Sequence, residues 1–111
     1  MEAKIDEFSG RLQQIAAAAK LLSHPARVAI IEYLDNQDSC VTSSLESVLP
    51  LSRGTVAQHV SALKEAGWIH GTTRGTKICY CLDYEKIATD AGDLTTFMQL
   101  HNRTNSQNCT S

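Results

Sequence analysis

Pro50 and Gly67 bracket the stretch that most limits what this chain can fold into. Pro50 stops a helix arriving from the N-terminal side, because its ring clashes with the preceding turn and it has no N–H to donate. Two residues on, Ser52 carries the short side-chain oxygen that accepts from the first turn of a new helix. Val56, Val60 and Leu63 then recur at spacings of four and three, which puts them on one side of that helix, and Gly67 marks its exit. Before Pro50, Leu45, Val48 and Leu49 predict a short helix capped at Thr42 or Ser43. A short helix, a tight turn and an amphipathic helix together make a helix-turn-helix candidate.

The flanking segments are just as regular. After Gly67, Trp68-Ile69-His70-Gly71 and the alternating Ile78-Cys79-Tyr80-Cys81-Leu82 predict two strands joined around Thr72 to Thr76, with Gly75 available for a positive φ. Arg74 and Lys77 fall near the tip of that hairpin. Upstream, Ile5, Phe8, Leu12, Ile15, Ala19 and Leu22 form the apolar stripe of a first helix. Ser23 or His24 caps a second, with Pro25 in its first turn and Val28, Ile31 and Leu34 on its buried face. A last helix over roughly Tyr84 to Asn102 aligns Ile87, Ala91, Leu94, Met98 and His101. The fold class is mainly α with one small β-hairpin: about five helices in a single domain over 1–103, followed by a polar tail over 104–111.

At 111 residues and 42% apolar composition, the chain suffices for one compact core. The small-residue run Ala16 to Ala19 ends at Lys20, so neither an export signal nor a membrane span is expected, and the expected location is cytoplasmic. The formal net charge of -2 hides an asymmetry. Between Pro50 and Tyr80 lie Arg53, Lys64, Arg74 and Lys77 against Glu65 alone, whereas the remainder has six basic and eleven acidic residues. Concentrating positive charge in one segment is what a phosphate-binding surface requires.

With Val56, Val60 and Leu63 facing inward, the helix that begins at Ser52 turns Arg53, Thr55, Gln58 and His59 outward. Arginine pairs bidentately with guanine and glutamine with adenine, while threonine, serine and histidine bond to bases or phosphates. This face is expected to read double-stranded DNA, with Arg74 and Lys77 on phosphates or in the minor groove. An enzyme is not expected, since the chain has no Gly-rich phosphate loop and no nucleophile elbow.

Three stretches together resemble the ArsR family of winged-helix repressors: LSHPARVAIIEYL (22–34), LSRGTVAQHVSALKEAGWI (51–69) and GTKICYCLD (75–83). The resemblance implies a winged helix-turn-helix fold whose wing is the hairpin. It also implies a homodimer joined through the terminal helices, operator binding in the unliganded state, and release by a metal ion, metalloid or thiol-reactive inducer. Gly54 and Ala57 stand where the family often has polar residues, so the operator sequence does not carry over from relatives.

Metal-sensing members of the family often have Cys-x-Cys near the start of the third helix, and this chain retains one such sulfur, Cys40. Cys79 and Cys81 alternate onto one face of the returning strand. A set of Cys40, Cys79 and Cys81, with Cys109 as a further donor, would suit As(III), Sb(III) or another soft ion acting as inducer. Redox chemistry at a thiol, or simple packing of small buried side chains, is the alternative role for these cysteines. No cofactor is expected to be needed for DNA binding. Asp90, Asp93 and His101 on the last helix lack the second nearby histidine that a zinc site there would need.

Overall fold

The structure, a computed structural model, describes residues 6–37 and 45–102. In chain order it contains α1 (Gly10–Leu21), α2 (Pro25–Asp35), a 3-10 turn (Leu45–Ser47), α3 (Arg53–Glu65), β1 (Ile69–Arg74), β2 (Lys77–Leu82), α4 (Tyr84–Phe97) and a closing 3-10 turn (Met98–Asn102). Mostly helical with one antiparallel hairpin, this is the expected class. Two elements differ from expectation. The described part of the short helix before Pro50 is a single 3-10 turn, its expected cap at Thr42 or Ser43 lying outside the described residues. The last helix tightens after Phe97 instead of continuing as α-helix to Asn102.

Each α-helix starts on a side-chain acceptor. Ser9 Oγ takes the N–H of Leu12, His24 Nδ1 that of Ala26, Ser52 Oγ that of Thr55, and Asp83 Oδ1 that of Lys86. In α2 the buried side chains are Ala26, Ile30 and Leu34, four residues apart, so the inward stripe is turned from the expected one and Val28 is left exposed. In α1, Ala18 rather than Ala19 joins Ile15 inside, because these residues follow the flank of α4. Leu22 shares a cleft with Tyr84 and Ile87 while Gln14 reaches Asp90, so α1 runs antiparallel to α4.

The hairpin pairs Ile69 with Leu82 and Arg74 with Lys77, closing through Gly75 and Thr76. Gly75 sits at φ 64, the left-handed region that a two-residue hairpin turn needs and that other residues resist.

Trp68 ties α3, the wing and α4 together. It is 2% exposed and packs with Ile30, Leu63 and Ile69 in the core. Burying an indole of this size contributes roughly 4–6 kcal/mol by area. Its backbone N–H donates to Leu63 O at 3.0 Å and its carbonyl accepts from Asp83 N at 2.9 Å. The indole Nε1–H donates to Asp90 Oδ2 at 2.9 Å. Asp90 Oδ1 also accepts from Lys86 Nζ at 3.0 Å and Gln14 Nε2 at 3.3 Å. These bonds, the indole's first among them, hold the Asp90 carboxyl below its ordinary pKa.

Asp90→Ala is expected to lower unfolding stability in urea by about 1–3 kcal/mol, the cost of leaving a buried donor unmatched, while Asp90→Asn, whose amide oxygen still accepts, loses less. Because Asp90 has a lowered folded pKa, its contribution is present above the ordinary carboxylate range and fades as pH falls through the folded value. Equal midpoints for wild type and Asp90→Ala across pH would contradict this role.

Candidate nucleic-acid interface

The geometry around Ser52 makes α3 project its first two turns outward. Ser52 Oγ donates to Thr55 Oγ1 at 3.0 Å and accepts from Thr55 N at 3.3 Å, so this pair closes the N-terminus on itself. Thr55 is consequently half-buried, with its hydroxyl engaged in the cap. Val56, Val60 and Leu63 are buried as the spacing requires. Ser52, Arg53, Gly54, Ala57, Gln58 and Ser61 are exposed along the other side. The backbone N–H groups of this turn and the helix dipole favour anions there, as a phosphate would exploit.

The hairpin tip supplies the second positive point. Arg74 and Lys77 are register partners on opposite strands and both are exposed. Lys64, near the exit of α3, places its Nζ 6.0 Å from the Tyr80 ring centroid, linking helix and wing by a weak cation–π contact.

His59 departs from the face assigned to it. It is only 8% exposed and points into the seam between α3 and α2. Arg27 Nε donates to His59 Nδ1 at 3.1 Å, and the His24 ring lies against it with centroids 4.3 Å apart, tilted by 45°. Arg27 Nη1 also reaches Leu21 O at 3.5 Å, at the end of α1. A guanidinium only donates, so Nδ1 of His59 must carry the lone pair and the ring is neutral with its proton on Nε2. Burial first, then the nearby His24 and Arg27, push the His59 pKa down. His59 thus clamps the recognition helix to its support instead of presenting an edge to a base. The sequence hint was its place beside Val60 and four residues before Leu63, on the flank of the buried stripe.

The cysteines divide. Cys79 is 1% exposed and opposite Thr72, while Cys81 is half-buried and opposite His70, both of them as thiols on β2. Cys40 and Cys109 lie outside the described residues. Among the described residues no three His, Cys, Asp or Glu side chains gather as a metal site. Asp90 is committed to Trp68, Lys86 and Gln14. His70 Nε2 meets Asp83 Oδ2 at 2.7 Å, and that bond leads the causes that lower the Asp83 pKa.

The His59 clamp gives stability a pH dependence. With the folded pKa lowered, the unfolded chain binds more protons in the window just below about 6.5, so stability is complete above that value and falls as pH drops through the folded pKa. Urea melts of wild type and His59→Gln between pH 5 and 8 are expected to show that slope diminished in the variant; an unchanged slope would place it elsewhere.

Residues 24–70, from the cap of α2 into β1, match the family described as bacterial regulatory protein, arsR family. The HTH-type transcriptional regulator YgaV of Escherichia coli (strain K12) is 24% identical over 84 residues, covering 76% of this chain and 85% of that protein. The uncharacterized HTH-type transcriptional regulator Rv0081 of Mycobacterium tuberculosis is 32% identical over 69 residues, 62% of this chain and 60% of that protein, so the match spans less than two thirds of that relative. The Rv0081 crystal structure superposes with a TM-score of 0.60 at 25% identity, over 90% of this chain and 97% of that one. The ArsR-like transcriptional regulator from Rhodococcus sp. RHA1 superposes with a TM-score of 0.64 at 26% identity, over 86% and 89% of the two chains. These relatives are transcriptional regulators, not enzymes. Residues 24–70 thus carry an ArsR-family helix-turn-helix, and over most of its length the chain is similar to ArsR-like winged-helix transcriptional regulators.

Proposed function

We propose that this regulator is a repressor that binds its operator as a homodimer and leaves it when a thiol-directed inducer, a soft ion such as As(III) or Sb(III), binds. The observation that carries the DNA reading is the division of α3: Val56, Val60 and Leu63 are buried while Arg53 and Gln58 are exposed beside a capped N-terminus. Arg53 and Gln58 read base edges in the major groove. Ser52 and Thr55 position the backbone of the first turn against a phosphate, and Arg74 and Lys77 hold the flanking phosphates. No cofactor takes part in DNA binding itself.

Two apolar surfaces support the dimer. Phe8 and Leu12 precede and open α1, and Phe97, Met98 and Leu100 end α4, all between 42% and 60% exposed. Because α1 and α4 are antiparallel, these residues fall toward the same end of the pair, where a second copy buries them. The inducer reading is supported by thiols on the wing strand. A soft ion captured by Cys81 and Cys79, with Cys40 or Cys109, must draw the buried Cys79 out of its packing, and that movement acts on the strand that carries Lys77.

Arg53→Ala and Gln58→Ala are each expected to weaken binding to the protein's own promoter by about 1–3 kcal/mol in fluorescence anisotropy at fixed salt. Lys77→Ala is expected to weaken specific and random duplexes alike and to reduce the log–log salt slope by about 1. Unchanged binding by Arg53→Ala would remove α3 as the reader.

Arsenite is expected to release the wild-type chain from DNA, and the Cys79→Ser/Cys81→Ser double variant to stay bound at the same dose. Release by peroxide that dithiothreitol reverses, with no response to arsenite, would replace the soft ion by thiol oxidation as the signal.

A further inference from the structure

A cleft of about 300 Å³ opens where α2, the end of β2 and the start of α4 meet, and no described residue of α3 lines it. Its walls are Val28 and Ile31 from α2, Leu82 from β2 and Ile87 from α4. Among the described residues its polar groups are Glu32, Asp35 and Tyr84, and no basic residue lines it. The volume is at the small end of the ~300–1,000 Å³ range of small-molecule pockets, which suits a compact ligand.

The chemistry of that lining is selective. Glu32 and Asp35 are three residues apart on one helix, and therefore neighbours on one face. Asp35 is fixed by a 2.7 Å hydrogen bond from the Tyr84 hydroxyl, which ties the end of α2 to the start of α4. That phenol is held protonated, its pKa raised first by the bond to Asp35. Val28 is 45% exposed and Tyr84 60%, so apolar wall stands open to water beside two carboxylates. An anion entering here meets two like charges. A neutral hydrocarbon covers the wall but strips water from the carboxylates without replacing it. A cation with a hydrocarbon body satisfies both, its body on the wall and its N–H groups on the carboxylates.

We propose that this cleft is a binding site for a small hydrophobic ammonium ion. The ammonium group sits between Glu32 and Asp35 and the alkyl body lies along Val28, Ile31, Leu82 and Ile87. The site is independent of the cysteines and of the DNA-reading surface, so its occupancy does not rest on the repressor reading above.

Isothermal titration of the full chain with n-hexylammonium chloride, 1-hexanol and sodium hexanoate at one ionic strength tests it. The ammonium ion is expected to bind one per chain, the alcohol more weakly and the carboxylate not measurably. Glu32→Gln/Asp35→Asn, which keeps an acceptor for Tyr84, is expected to weaken the ammonium ion by roughly twofold to thirtyfold and to bind the alcohol as well as the wild type or better. Val28→Trp, at an exposed position, is expected to fill the mouth and abolish both. No heat from the ammonium ion, equal binding of all three probes, or an unaffected double variant would overturn the proposal. So would ammonium binding confined to the dissociated chain in sedimentation, which would make a second copy the occupant of the cleft.

Discussion

Trp68 is anchored at three atoms to three different parts of the fold. Its N–H holds the last turn of α3, its carbonyl holds the cap of α4, and its indole N–H holds Asp90 in the middle of α4. An indole is the one side chain that combines a large apolar surface with a single outward-pointing donor, so its burial is favourable only where an acceptor waits at the far edge. Asp90 is that acceptor, and its remaining lone pairs are taken by Lys86 on the same helix and Gln14 on α1. The recognition helix, the wing and the α1–α4 pair are thereby referred to one buried residue. The wing root cannot shift against α3 without exposing Trp68 or orphaning its N–H.

The DNA-reading surface follows from that anchorage and from a second one at the other flank of α3. Arg27 bonds His59 from α2 and reaches back to the end of α1, so α3 is gripped on both sides of its buried stripe. A helix held this way presents its outer side chains with little freedom, which base readout needs if Arg53 and Gln58 are to meet a groove at fixed depth. The acidic surplus of the whole chain does not oppose this, because Arg53, Lys64, Arg74 and Lys77 all belong to the projecting segment.

Much of the fold was legible in the residues. Pro50, Ser52 and Gly67 mark the boundaries of α3 through local chemistry, and Pro25, Gly75 and the Val56–Val60–Leu63 spacing act at the same short range. What could not be read is long-range. His59 lies at the edge of its helical stripe, where three-residue and four-residue spacings leave the direction undecided; Arg27, distant in sequence, turned it inward. Val28 and Ala19 were expected inside and are exposed for a similar reason, since the inward direction of α1 and α2 is set by the neighbour each packs on. Asp90 reads as a surface acid or a metal ligand until Trp68 is seen against it. The exposure of Arg53 and Gln58 was recoverable because a polar residue opposite a strong apolar stripe has only one direction to go.

The central claim is that Trp68 and Asp90 bind recognition helix, wing and terminal helices into one cooperative unit. Hydrogen exchange of the Trp68 indole N–H, followed by NMR alongside the backbone amides of α3 and α4, tests it most directly. The account predicts that this proton exchanges only through global unfolding, with the same free energy as the slowest amides of both helices, and that in Asp90→Ala it exchanges through a lower-energy opening. Rapid exchange of the wild-type indole proton while those amides stay protected would contradict it.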